Sequence, residues 1–354
     1  MQHLRKLPIA VLFLLFLIGV ATAGYLMITL NPYSKTKLDH GCLVANNALP
    51  DCYSRYYTDY AETAGVQVAI DTLRTRSKTD PVLYASCHNT MHTLGRVAYR
   101  AYGSLPVSFQ YADYFCWSGY YHGVVEGALR GVREESVSRE TLRDLCSPTT
   151  AMEPRSSDQF NCIHGIGHAL MYMTGNNLPQ SLKRCEDLGD DWSVQHCATG
   201  VFMENTLADG ADHKSAYLPT EDMHYPCTIV DVRFKEACYL VQSGLIIKKF
   251  AGDFAQSFAF CDAIPEPGLR TQCARGLGKE AAQRGFYDKV TAARTCERAP
   301  SELIADCFFG VISDLEGQYH DDDISKTFCE AVSAPLRTQC LSVTLGAVKE
   351  STIP

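Results

Sequence analysis

The chain has 354 residues and 16 cysteines, yet no two cysteines stand in a Cys-x-x-Cys pair. That excludes the dithiol motif of redox enzymes and zinc ribbons. Also missing are a Gly-x-Ser-x-Gly elbow, a phosphate-binding P-loop and a dinucleotide fingerprint, so the common nucleophile and nucleotide folds have no foothold here. No Asn-x-Ser/Thr sequon, low-complexity segment or clear interdomain linker occurs. Positive charge is in short supply. Lysine and arginine number 32 against 40 acidic residues, a formal net charge of −8, and no basic stripe follows the N-terminus. This argues against nucleic acid as a partner.

What remains is a globular composition, 46% hydrophobic and 20% charged, long enough for two ordinary domains or one extended repeat array. At the N-terminus, Arg5 and Lys6 precede an apolar run from Pro8 to Leu30, enough to cross a bilayer as a helix. Ala21-Thr22-Ala23 would suit signal peptidase, but the apolar run continues through Tyr25–Leu30, which favours an uncleaved anchor. Charge on the near side keeps the tail inside and exports the body to the periplasm or cell exterior. An even number of cysteines in an exported chain reads as disulfides.

The cysteines repeat. Short gaps alternate with long ones, giving the pairs Cys146/Cys162, Cys185/Cys197, Cys227/Cys238, Cys261/Cys273, Cys296/Cys307 and Cys329/Cys340. Pairing Cys42 with Cys52 and Cys87 with Cys116 would complete eight bridges, but the spacing leaves the partners of these four open, and the long gap between Cys87 and Cys116 departs from the pattern. The second cysteines at 238, 273, 307 and 340 are 33–35 residues apart, the period of an α-hairpin repeat. Asp253, Asp288 and Asp323 keep the same period and stand where a helix N-cap is wanted. Glycine recurs three positions after cysteine, as Gly119, Gly165, Gly200, Gly276 and Gly310. Such recurrence inside helices predicts close helix–helix approach. The expected fold is therefore all-α: an α-solenoid of disulfide-stapled helical hairpins of about 35 residues per unit. Residues 1–30 form the anchor or signal, 31–80 a Tyr-rich spacer and capping hairpin, 81–226 the histidine-bearing repeats, and 227–354 cysteine-stapled repeats serving as scaffold or partner surface.

Histidine is confined in a way a pure scaffold does not require. The segments Cys87–His92, Cys116–Glu126, Cys162–His168 and Cys197–Glu204 carry the pairs His88/His92, His122/Glu126 and His164/His168, all spaced i,i+4. On a helix each pair projects from one face. Equivalent faces of neighbouring helices lie roughly 8–10 Å apart, so these imidazoles can converge on an ion. The expected ligands are His88, His92, His122, Glu126, His164, His168 and Glu204, with Glu126 also the candidate general base and Met203 bordering the pocket. The set suits one or two ions of iron, zinc, copper or manganese. Glu204 is the weakest member, because acids recur at its position as Glu280 and Asp314 in units without histidine. The bland alternative is that the imidazoles bond backbone at glycine-lined helix contacts.

A metal held by histidines and carboxylates in a helical repeat array is similar in architecture to deoxyhypusine hydroxylase, a HEAT-repeat di-iron family. The adjacent His-Glu dipeptides of that family are absent here, and no residue is carried over. The leading expectation is an extracytoplasmic, membrane-anchored metalloenzyme, oxygen-activating or hydrolytic. Its rivals are a non-catalytic envelope binding module, with a protein or small molecule on its concave face, and a metal storage or delivery protein.

Overall fold

The computed structural model describes residues 50–147, 152–207, 215–319 and 323–343. Every regular element among them is helical. In chain order these are α1 (Pro50–Ala64), α2 (Val66–Ser77), α3 (Pro81–Ala85), α4 (Cys87–Tyr102), α5 (Leu105–Phe109), α6 (Gly119–Leu129), α7 (Arg139–Leu145) and α8 (Ser157–Met173). Then follow α9 (Leu178–Cys185), α10 (Asp191–Thr206), α11 (Lys235–Lys249), α12 (Phe254–Asp262), α13 (Pro267–Arg284), α14 (Lys289–Cys296), α15 (Ile304–Tyr319) and α16 (Ile324–Ala331).

Long helices pack in succession: α4 on α6, α6 on α8, then α10, α11, α13 and α15, each against the one before. The shorter helices α9, α12, α14 and α16 lie beside them. Side-chain caps start several of the short ones. Asp253 accepts from the backbone N–H groups of Ala255 and Gln256 at the head of α12, and Asp288 from that of Thr291 at the head of α14. An N-cap of this kind stabilises a helix by about 1 kcal/mol.

Seven disulfides fasten the described helices; six join the cysteines that the spacing pairs, and the seventh is Cys87–Cys116. Each links a connection or short-helix end to a neighbouring segment; Cys261 of α12, for example, is tied to Cys273 of α13. Cys52 is also disulfide-bonded, whereas Cys42 lies outside the described residues. Disulfides in this number are the mark of an oxidising, extracytoplasmic compartment. The expected anchor, Pro8–Leu30, likewise lies outside the described residues; among those described no helix is long and apolar enough to cross a membrane.

Glycine sets how closely the site-bearing helices approach. A Cβ at Gly123 of α6 would stand 1.9 Å from the carbonyl oxygen of His92 on α4. One at Gly200 of α10 would stand 2.0 Å from the carbonyl oxygen of His164 on α8. Neither position can hold a side chain unless the helices separate, so glycine here is a packing requirement and not a turn device. Of the five glycines that follow a cysteine by three, Gly119, Gly200, Gly276 and Gly310 make tight backbone approaches, a Cβ at Gly119 standing 2.6 Å from the His88 carbonyl oxygen; Gly165 is looser, with its nearest neighbour at 3.1 Å.

The helix succession also bends back on itself. Tyr84, at the end of α3, packs its ring 4.7 Å from that of Phe286, just beyond α13. Its hydroxyl reaches the carbonyl of Gln283 at 3.5 Å. Early and late helices thus meet.

Candidate metal centre

Three adjacent long helices deliver five buried histidines to one place. His88 and His92 come from successive turns of α4, His122 from α6, and His164 and His168 from successive turns of α8. None is more than 7% exposed. The close approach at Gly123 sets α6 against α4, and the ring centroids of His92, His122 and His168 lie 4.8–5.1 Å apart. One nitrogen from each of His88, His92, His122 and His168 falls within 4.8 Å of every other.

The hydrogen bonds around this group assign the protons. His88 Nδ1 lies 2.9 Å from the carbonyl oxygen of Cys116, which can only accept, so Nδ1 carries the hydrogen. His92 Nδ1 lies 2.6 Å from Glu126 Oε1, and His168 Nδ1 lies 2.7 Å from Glu204 Oε2. Each therefore donates from Nδ1 to a carboxylate. In the neutral tautomers so fixed, Nε2 of His88, His92 and His168 all present lone pairs. Yet His88 Nε2 and His92 Nε2 face each other at 3.0 Å, and buried His168 Nε2 has no hydrogen-bond partner. His122 Nδ1 stands 3.3 Å from His92 Nε2 and can donate at most one hydrogen to the group.

Protonation does not resolve this crowding. Burial, reinforced for His88 by His92 and for His122 by the neighbouring imidazoles, pushes both well below the ordinary histidine pKa. Burial also lowers His92, against the pull of Glu126. Neutral imidazoles with converging lone pairs are what a cation requires. Nitrogens bound at about 2.0–2.1 Å in a tetrahedral site would lie roughly 3.3 Å apart; His92 Nε2 stands 3.0 Å from His88 Nε2 and 3.3 Å from His122 Nδ1, and all four ligand atoms lie within 4.8 Å of one another.

The carboxylates stand behind the imidazoles. Glu126 receives His92 Nδ1–H on one oxygen and Arg96 Nη1 on the other at 2.5 Å. Its own burial would raise its pKa, but His92 and Arg96 outweigh that and hold it below the usual carboxylate range. Carboxylates so placed fix the tautomer and orientation of a ligating histidine. Glu126, His168 and Glu204 also form a second group whose ligand atoms lie within 4.8 Å of one another and could hold an ion.

His164 sits beside the four-nitrogen group and is not a member of it. Its Nδ1 lies 2.9 Å from Thr199 Oγ1, whose hydroxyl donates to the His196 carbonyl at 2.7 Å. Thr199 must then accept from His164 Nδ1–H, leaving His164 Nε2 buried and without a partner. Met203 is half-buried next to Glu204 on α10.

Arg96, Thr199 and the Cys116 carbonyl belong to the arrangement without having been expected from the sequence. Arg96 was within reach, since it continues the i,i+4 series of His88 and His92. The carbonyl was not. It is presented by three consecutive left-handed residues, Cys116, Trp117 and Ser118, with φ of 56°, 56° and 58°, each costing about 1–2 kcal/mol. The Cys87–Cys116 disulfide and the bond to His88 hold this turn in place.

No known family model, curated protein or solved structure matches this chain.

Proposed function

We propose that this is an extracytoplasmic protein built as a helical-repeat array on an N-terminal membrane anchor, with a transition-metal centre that works catalytically. The observation that carries the reading is the convergence of three Nε2 lone pairs, from His88, His92 and His168, whose Nδ1 hydrogens are committed elsewhere. His122 would complete a four-nitrogen set. Glu126 and Glu204 would orient His92 and His168, or bind a second ion together with His168. Imidazole nitrogen suits zinc, copper, iron and nickel better than calcium or magnesium, which prefer oxygen.

Such an ion would supply Lewis acidity for hydrolysis or, if redox-active, electrons for oxygen chemistry. The chain itself supplies neutral, pre-oriented imidazoles, a water-poor enclosure, and in Glu126 a carboxylate kept ionised by Arg96. His164, next to the group with an unused nitrogen, would serve as a proton acceptor or a fifth ligand.

Elemental analysis of the untagged chain, purified with its disulfides intact, tests the reading. One or two equivalents of a transition metal are expected. His122→Ala and His168→Ala should each lose it while the helical circular dichroism remains, and Glu126→Gln should weaken binding about 10–100-fold. Full metal retention in both histidine variants, or no uptake after reconstitution, would leave a binding module as the better account.

A further inference from the structure

The Cys87–Cys116 bridge is unlike the six others of the described helices. It closes 29 residues of chain, against 11–16 for the rest. Bringing two thiols together costs more entropy over a longer loop, so this bridge, once opened, is the hardest of the seven to re-form.

It also stands beside a candidate ligand. Cys87 directly precedes His88, and the Cys116 carbonyl accepts from His88 Nδ1 at 2.9 Å. That carbonyl belongs to the left-handed run Cys116–Ser118, with φ of 56–58°, a conformation L-residues hold only under restraint. At Gly119, the next residue, a Cβ would meet the His88 carbonyl oxygen at 2.6 Å. The turn therefore bears directly on the part of α4 that carries His88.

Finally, the bridge borders open space. Where the early and late helices meet they form a cleft of about 740 Å³, within the roughly 300–1,000 Å³ typical of small-molecule sites. Cys116 is the one cysteine that lines it, whereas Cys87 is fully buried. Tyr84, Trp117 and Phe286 give the cleft an aromatic wall, and Arg74 and Lys78 bring positive charge. Arg74 is taken up by Asp113, the carboxylate that also lines the cleft. Asp314, to which Gln283 Nε2 donates at 3.0 Å, does not line it. Lys78 is thus the charge that an incoming anion meets. Positive charge favours the thiolate, and the thiolate is the form that attacks a disulfide.

We propose that Cys116 is a site of thiol–disulfide exchange: a small anionic thiol entering the cleft opens Cys87–Cys116 ahead of the other six bridges, and the freed turn withdraws its carbonyl from His88. The thiolate attacks Cys116 Sγ, the bond to Cys87 breaks, and its electron pair leaves on Cys87 Sγ, which takes a proton from water. A second thiolate attacks the small-molecule sulfur of the mixed disulfide and releases Cys116, which is protonated in turn. Two small thiols are oxidised to their disulfide, and one protein bridge is reduced to two thiols. The left-handed run then lacks one of its two restraints and relaxes, leaving His88 Nδ1 without its acceptor and its tautomer unfixed. Resting on the metal reading above, the further consequence is that the centre binds its ion about 10–100-fold less tightly.

The unaltered chain, metal-free and with disulfides intact, would be incubated with graded glutathione near neutral pH, alkylated with iodoacetamide and peptide-mapped by mass spectrometry. Cys87 and Cys116 should be labelled at a glutathione concentration about tenfold below that which opens any of the other six bridges, with the glutathione adduct on Cys116. Another of the six opening first or at the same concentration, or an adduct on Cys87, would overturn the proposal. The sequence has only two tryptophans, so in a Trp192→Phe background Trp117 alone reports on the turn. Its emission should shift as the bridge opens; unchanged emission with the bridge fully open would defeat the release of His88. The zinc-loaded chain should lose affinity over the same glutathione range. A chain that takes up no zinc at all counts against the metal centre alone, because neither alkylation nor emission involves an ion.

Discussion

Asp314 shows how a single buried group writes itself into the pH dependence of the whole fold. Burial raises its pKa from an ordinary 3.8 to about 6. Between those values the folded chain holds a proton that the unfolded chain releases. Stability from this group is thus greatest below about pH 4, falls as pH rises to about 6, and is level above. Two pKa units correspond to at most about 3 kcal/mol. Asp314→Asn keeps an acceptor for Gln283 and removes the ionisation, so its stability relative to the unaltered chain should be higher at pH 7.5 than at pH 4. Urea unfolding at the two pH values measures this, and an equal difference at both would contradict it. At the histidine centre, the i,i+4 offsets of His88/His92, His122/Glu126 and His164/His168 were legible because a helix maps that spacing onto one face. Which nitrogen points where was not. It depends on a Cys116 carbonyl in a left-handed turn and on the Thr199 hydroxyl, and no spacing encodes either.

Among helices, the site depends on axes brought closer than side chains normally allow. Gly200 and Gly165 offer a matched comparison, since both lie three residues after a cysteine and face a neighbouring long helix. A Cβ at Gly200 meets the backbone carbonyl of His164 at 2.0 Å, whereas one at Gly165 meets His122 Cα and the Val125 side chain at 3.1–3.2 Å. Gly200→Ala must therefore part α8 from α10, at a cost of about 1–3 kcal/mol or more, and move His168 away from Glu204. Gly165→Ala should be much milder, its loss of close packing partly offset by alanine's better helix propensity of about 1 kcal/mol. Thermal unfolding ranks the two, and metal content should fall only for Gly200→Ala. The helices and their staples were legible, because cysteine spacing and aspartate caps act over short stretches of chain. The glycines at 95, 123, 167 and 278, which make equally close approaches, were missed because they fall outside the cysteine register.

In the whole molecule, the sequence predicts units that each touch the next, and successive long helices do so. It gives no sign that the early helices meet the late ones. Tyr84 and Gln283 are 199 residues apart in sequence, and curvature accumulated over many helix pairs leaves no local pattern. The consequence is an aromatic seam, with Tyr84 4.7 Å from Phe286 and 5.8 Å from Trp117. Aromatic pairs contribute about 0.5–1.5 kcal/mol beyond the area they bury. The seam ties the early helices to the late ones, so Tyr84→Ala and Phe286→Ala should each destabilise the fold, and together by less than their sum, with a coupling in that range. Strict additivity would mean that the two ends act independently. Because Phe286 is 62% exposed, its loss opens no core cavity, so a coupling measured by this cycle would report the meeting of the ends and little else.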